Sequence, residues 1–218
     1  MCNLLLADEK NRTSPKTQSA LLQIMEEYRV TVDGETYDLP EPFMVIATQN
    51  PIGSIGTQKL PESQMDRFMV KLSMGYPSVE DEITIMKSRS ENDKRKILSE
   101  CVLDNGDIQA IKEAVSDIYV DDSIYEYVAN IVDKTRHREN IIQGVSPRGS
   151  ISIISMAKAE AFLRGNEYVL PSDIKNIAVD TLAHRLITNV AGAAGNEAAK
   201  KEITDILRMI PVPKMQEK

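Results

Sequence analysis

Leu4-Leu5-Leu6-Ala7-Asp8-Glu9 runs four apolar residues straight into two adjacent carboxylates. Read as a strand buried on both faces, the run delivers Asp8 and Glu9 at its C-terminal end. In open α/β sheets that edge is where ligands bind. Two carboxylates there suit phosphoryl transfer from ATP, one holding Mg²⁺ through its waters and one orienting the attacking water. The same residues also describe a strand leaving a core into a polar turn, and the motif alone favours that simpler picture. Thr48-Gln49-Asn50-Pro51 closes a second apolar run. Asn50 at such an end can hydrogen-bond a γ-phosphate or its water, although Asn-Pro also commonly starts turns.

Two arginines complete the set. Arg67 stands in Leu60-Pro61-Glu62-Ser63-Gln64-Met65-Asp66-Arg67-Phe68, where a surface ion pair with Asp66 or Glu62 would account for it at little energetic value. Arg148 follows Ser146-Pro147 in the first turn of an expected helix, where the macrodipole disfavours a cation by ~0.3–1 kcal/mol. A residue set against the local field points to a visiting anion or to a neighbouring acid, with equal weight.

Positioning these groups requires strands first and helices later. Ser14-Pro15 reads as N-cap and first position of a helix with Leu21, Leu22, Ile24, Met25 and Tyr28 along one stripe. Arg29 to Val32, Asp33-Gly34 and Glu35 to Tyr37 give a hairpin signal, because Asp-Gly accepts the positive φ of a tight turn. Phe43 to Thr48 is a second buried strand, and Phe68 to Met74, closed by Gly75 and Pro77, an expected third. Beyond Pro77 the strand signals stop. Ser78 with Asp81 and Glu82 resembles a capping box. Further helices are expected over 107–118, 122–137, 146–164 and 172–187, with Gly165 as a stop for the third of these. The charge run 88–96 reads as a solvated linker or helix face, and 191–199 as a small-residue tract. The fold class is therefore α/β followed by all-α, with residues 1–77 as one domain and 78–218 as the other.

Composition narrows the partners. A net charge of −7 argues against nonspecific binding to nucleic acid or an anionic membrane. Cys2 and Cys101, with His137 and His184, are too few and too scattered for a disulfide framework or a zinc or histidine-based metal centre. No apolar run approaches the roughly 20 residues of a membrane span. Met1-Cys2-Asn3-Leu4 has no basic region or cleavage site of a signal peptide, so the expected localisation is cytoplasmic.

The order of the motifs carries more than any one of them. Ala7-Asp8-Glu9 through Leu21-Leu22, then Met25-Glu26-Glu27, the hairpin, Val45 to Pro51, Gly56-Thr57, and Leu60-Pro61-Glu62 to Asp66-Arg67-Phe68 resemble the MoxR family of AAA+ ATPases. The resemblance resumes at Gly144-Val145-Ser146-Pro147-Arg148 and at Pro171-Ser172-Asp173-Ile174 to Leu182-Ala183-His184-Arg185. It implies a partial AAA+ core with a β-hairpin insertion, followed by a helical lid. By resemblance, Asp8 is the Walker B aspartate serving Mg²⁺, and Glu9 the carboxylate that orients or deprotonates water. Asn50 is similar to the sensor-one residue, Arg67 to the arginine finger and Arg148 to the sensor-two arginine. The family implies ATP and Mg²⁺ as cofactors, ring-shaped homo-oligomers of the full-length protein, and chaperone-like remodelling of a client protein whose identity the sequence does not give. His184-Arg185 receives only a packing role.

Lys10 replaces a usually apolar residue and Gly53-Ser54-Ile55 a usually acidic stretch. No G-x-x-x-x-G-K-[ST] loop occurs, so the backbone nest and lysine for the β- and γ-phosphates are lacking. The resemblance puts that loop upstream, on a strand expected to neighbour Phe68 to Met74. The expectation is a fragment, a chain completed by a separate chain, or strands swapped with a second copy. Two other functions compete: a non-catalytic interaction module built on the helical half, and a nucleic-acid motor related to MCM helicases, which the acidic charge opposes.

Overall fold

The computed structural model describes residues 2–8, 15–32, 34–49, 61–90, 102–190 and 193–213, of which 15–19, 32, 62, 89, 90 and 193 by backbone alone. Glu9, Asn50, Lys10, the stretch 53–55, Ser14 and Asp33 lie outside these residues, as does most of the charge run.

The first strand, β1 (Leu4–Ala7), pairs in parallel with β4 (Met44–Ala47), Leu4 opposite Met44 and Ala7 opposite Ala47. Between them come α1 (Pro15–Glu27) and the hairpin of β2 (Arg29–Val32) and β3 (Glu35–Asp38). The hairpin has the expected register, Val32 opposite Glu35, and Gly34 at its tip has φ +86°. Arg29 Nε to Asp38 Oδ1 at 2.8 Å ties the open end. The crossover from β1 to β4 leaves Asp8 and Thr48 side by side at the C-terminal end of the pair, and the Thr48 hydroxyl donates to Asp8 Oδ1.

A single helical turn, α2 (Glu62–Met65), precedes Asp66 and Arg67. The expected third strand does not form. Among the described residues no ladder reaches 68–74, and this extended segment docks on the later helices instead: Lys71 N–H donates to the Asp180 carbonyl at 2.9 Å. Its side chains Met69, Leu72 and Met74 are exposed. A parallel strand is stable when neighbours satisfy its backbone and helices cover both faces; here the pairing comes from a helix end. The apolar pattern was read correctly and the ladder was not.

Helix α3 (Val79–Ser90) starts where the capping box predicts, with Ser78 Oγ accepting from Asp81 N–H at 3.1 Å. Then follow α4 (Asn105–Asp117), α5 (Asp122–Arg136), β5 (Ile141–Gln143), α6 (Pro147–Leu163), α7 (Pro171–Leu182), a 3₁₀ turn over Ala183–Arg185, β6 (Ile187–Thr188) and α8 (Ala193–Met209). Asp104 and Asp107 form a reciprocal capping box on α4, Asp121 caps α5, and Gly165 at φ +73° ends α6 as expected. The core is in this part. Ile124 and Ile131 of α5, Ile153 of α6, Ile174 and Leu182 of α7, and Ile203 and Ile206 of α8 are fully buried. Ala157, Ala161 and Ala178 let α6 and α7 pack closely.

Two elements depart from expectation. The helix expected over 172–187 ends at Leu182 and turns into β6, which pairs antiparallel with β5. The small-residue tract opens α8, whose Ala199, Ile203 and Ile206 face the core. Glu202, also buried, is held by Arg138 Nε at 2.7 Å and Asn140 Nδ2 at 3.1 Å. Burial works against that carboxylate's charge, but the bonds from Arg138 and Asn140 win and its pKa is lowered.

Candidate functional site

The β5–β6 pairing brings the start of α6 beside the 3₁₀ turn. Two groups of α5 fix the approach: Arg136 Nε and Nη2 donate to the Val145 carbonyl at 3.1 and 3.0 Å, and Val145 N–H donates to Thr135 Oγ1 at 3.0 Å. Gly144 lies against Arg136 so closely that a Cβ would stand 2.8 Å from Arg136 Cγ and 2.9 Å from its backbone. Gly149 is needed for the same reason, since a Cβ there would reach 2.3 Å from Val145 Cγ1 and 3.0 Å from Arg185 Cδ. Ser146 is the N-cap of α6 as expected, yet its hydroxyl makes no cap bond. It donates instead to Asp66 Oδ2 at 2.9 Å.

Arg185 is the anchor of the arrangement. Its side chain is 1% exposed and saturated with acceptors. Nη1 meets Asp66 Oδ1 at 2.7 Å and the Asp66 carbonyl at 2.5 Å; Nη2 meets the Phe68 carbonyl at 2.8 Å and Ser152 Oγ at 2.9 Å; Nε meets the Thr181 carbonyl at 2.9 Å. His184 Nε2 also lies 3.0 Å from the Phe68 carbonyl, so Nε2 is the protonated nitrogen and donates there. Burial drives the His184 pKa down to about 4, the bond to Phe68 opposes this, and Arg185 and Lys71 add to it. Near neutral pH the ring is uncharged. Burial likewise lowers the Arg185 pKa, against the pull of Asp66. The backbone on both sides of Arg67 is thus clamped by two residues more than a hundred positions later.

Arg67 pairs with Glu26 Oε2 on the last turn of α1; the Glu62 side chain lies outside what the structure describes. Arg148 Nη2 donates to the other oxygen of the same carboxylate, Oε1, at 2.8 Å, and its Nη1 lies 3.8 Å from Asp66 Oδ2. Arg148 therefore bridges to neighbouring acids, one of the two readings of its position, and does so beside a second arginine. Glu26, Asp66, Arg67, Arg148 and Arg185 set three guanidinium groups against two carboxylates, one positive charge in excess. Asp66 and the three arginines border a cavity of about 280 Å³ lined also by Ser63, Ser146 and Gln143. The Arg148 and Glu26 side chains are 47% and 38% exposed, so their pairing contributes at most about 1 kcal/mol. Arg185 is buried with all its donors used while Asp66 is partly exposed, and losing Asp66 would leave the buried guanidinium uncompensated.

Of the residues singled out in the sequence, Arg67 and Arg148 come together and Asp8 stands at the strand edge beside Thr48, while Glu9 and Asn50 fall outside the described residues. Glu26, Asp66, Ser146 as a side-chain donor, His184 and Arg185 were missed as site residues. Their signal was present, since each lies inside a matching motif, but pairing residues 26, 66, 148 and 185 takes a folded chain.

Comparison with known proteins matches two separate segments of the chain. Residues 1–70 match the ATPase family associated with various cellular activities (AAA), and residues 133–206 match an AAA lid domain; the arginine cluster draws Glu26, Asp66 and Arg67 from the first and Arg148 and Arg185 from the second. The chain is 45% identical over 213 residues to the Bacillus subtilis (strain 168) protein YeaC, covering 98% of this chain and 66% of that one. It is 36% identical over 224 residues to Chaperone MoxR1 of Mycobacterium tuberculosis, covering 99% of this chain and 59% of that one. A solved putative ATPase from Cytophaga hutchinsonii superposes with a TM-score of 0.86 at 36% identity, covering 97% of this chain and 67% of that structure. The chain thus spans about two thirds or less of its curated relatives. With both family models matched in order and the fold shared along nearly its whole length, the chain belongs to the MoxR family of AAA+ ATPases.

Proposed function

We propose that this chain supplies the hydrolysis and phosphate-sensing residues of an ATP-driven machine that remodels or activates a client protein. The observation that supports it is the meeting of Arg67 and Arg148, from the two family-matched segments, on one carboxylate beside a cavity. In this reading residues 1–77 are the C-terminal part of the α/β core and 78–218 the helical lid. Asp8, exposed at the strand edge and oriented by Thr48, fits a hydrated Mg²⁺, which needs one or two carboxylates and takes its other ligands from phosphates and water. The bound ion would neutralise charge on the phosphates. Glu9 orients the attacking water and Asn50 contacts the γ-phosphate. Arg67 reaches the nucleotide of a neighbouring subunit in a homo-oligomeric ring, and Arg148 reports γ-phosphate to the lid.

The test is Mg-ATP calorimetry and turnover on two proteins: the 218-residue chain, and the same chain joined to the part of the Bacillus relative that it does not span. Binding and hydrolysis by the joined protein are expected. Glu9→Gln should hold ATP without turnover, and Arg67→Ala should lower turnover roughly 10³–10⁵-fold with ATP still bound. Full turnover in Glu9→Gln rejects the role of Glu9, and a joined protein that folds but never binds ATP rejects the reading in favour of a non-catalytic interaction module. Titration with DNA at low salt, where electrostatic binding is strongest, should give no complex, and a tight one would revive the nucleic-acid motor.

A further inference from the structure

Glu26 has no part in the hydrolysis roles, and unlike Asp66 it is not held by the Arg185 anchor. Its oxygens are divided, Oε1 to Arg148 and Oε2 to Arg67, as two oxygens of a phosphate group would be. It sits in the last turn of α1, which holds no basic residue, and a carboxylate at a helix C-terminus is disfavoured by the macrodipole. The two arginines are what make that position tolerable. Two residues on, Tyr28 at φ +53° turns the chain into β2, and Leu39 N–H returns to the Tyr28 carbonyl at 2.8 Å. The hairpin therefore starts within three residues of the carboxylate.

Burial separates what can exchange from what cannot. Arg185 fixes the backbone around Arg67 from a side chain that is 1% exposed, whereas Glu26 and Arg148 meet at the surface. A phosphate carries more charge than a carboxylate and offers more acceptors to two guanidinium forks. It can take both arginines from Glu26 without disturbing the Arg185 anchor.

We propose that Glu26 is a positioning residue, an internal stand-in for phosphate that holds Arg67 and Arg148 together until an incoming phosphate displaces it, releasing the end of α1 and the hairpin attached to it. The proposal rests on Arg67 and Arg148 facing phosphate. It makes the hairpin a reporter of site occupancy, and it makes Glu26 a competitor of the anion.

The experiment titrates magnesium-free pyrophosphate into the 218-residue chain by calorimetry. Glu26→Gln, nearly the same shape without the charge, should bind pyrophosphate roughly three- to tenfold more tightly; Glu26→Ala should do the same, which guards against a new amide contact. Arg67→Ala and Arg148→Ala should each weaken binding by about fivefold or more. The chain has no tryptophan, so Tyr37→Trp, at an exposed hairpin position, provides a single fluorescent reporter. Its emission should shift on adding pyrophosphate and should sit at the shifted value beforehand when combined with Glu26→Gln. If both arginines matter but neither Glu26 variant tightens binding, the stand-in is rejected and the phosphate site survives. Pyrophosphate that fails to bind, or binds regardless of both arginines, removes the phosphate site and the stand-in together.

Discussion

Ile124, Ile131, Ile153, Ile174, Leu182, Ile203 and Ile206 of the helical part have no solvent exposure, while Leu4, Leu6, Met44 and Ile46 of the parallel pair stay 46–62% exposed. The sequences look alike in apolar content; the difference is in how each architecture closes. Helices with one apolar stripe can enclose a core among themselves, as the later helices do here. A parallel sheet needs neighbouring strands and a helical layer on each face, and two strands cannot provide them. The groups with proposed phosphate roles divide accordingly. Arg67 and Arg148 take their positions from the closed part through Arg185, His184 and Ser146, whereas Asp8 takes its position from the open pair and a bond to Thr48.

The sharpest way to break this comparison is at the joint. Arg185→Ala removes five hydrogen bonds and leaves Asp66 without its buried partner, and should cost roughly 3–5 kcal/mol in urea unfolding. A loss below ~1 kcal/mol would mean that the segment around Arg67 is not held by the helical part. A second contrast tests closure directly. Ile174→Ala, at a site with no exposure, should cost roughly 2–5 kcal/mol. Leu6→Ala, at 62% exposure, should stay within about 0.5 kcal/mol of the unsubstituted chain. Equal losses would show that the strand pair is as closed as the helices.

How much of this could be read beforehand follows the same division. Local chemistry was legible. The hairpin with Gly34 at its tip, the Ser78 cap, the Gly165 stop and four helix positions depend on neighbours within a few residues, and so did the placement of Asp8 at a strand end. What escaped depends on distant partners. Phe68 to Met74 has a strand's composition, but its hydrogen bonds go to a helix end more than a hundred residues later. The start of α8 reads as a run of alanines and glycine, and Glu202 at a core position hides its stripe until Arg138 is seen beside it. Ser146 was recognisable as an N-cap, yet its hydroxyl serves Asp66. Arg185 belongs to a motif that announces the family, and nothing in that motif says which backbone it holds.

His184 sharpens the comparison through pH. In the folded chain its pKa lies near 4, below the ordinary 6.5, chiefly because of burial. The unfolded chain therefore takes up a proton between about pH 6.5 and pH 4 that the folded chain refuses. Stability from this group is complete above 6.5 and is lost on acidification through that window, by at most about 3 kcal/mol. His184→Gln keeps a donor for the Phe68 carbonyl and removes the titration. Unfolding at pH 7 and pH 5 should show the unsubstituted chain losing more stability than the variant. Equal losses would place the acid sensitivity elsewhere.

The smallest effect is expected at the exposed side of the cluster. Arg148→Ala deletes a pairing with Glu26 that is open to water and a 3.8 Å approach to Asp66, and it relieves a cation at a helix N-terminus. These terms oppose each other at a few tenths of a kcal/mol to about 1 kcal/mol each, so urea unfolding should move by no more than ~1 kcal/mol in either direction. Paired with Arg185→Ala, two arginines in the same cavity are expected to differ severalfold in what the fold loses. A large loss from Arg148→Ala would make it a structural residue like Arg185. A negligible loss leaves its position against the helix dipole unexplained by stability, which is the behaviour of a side chain kept for an anion.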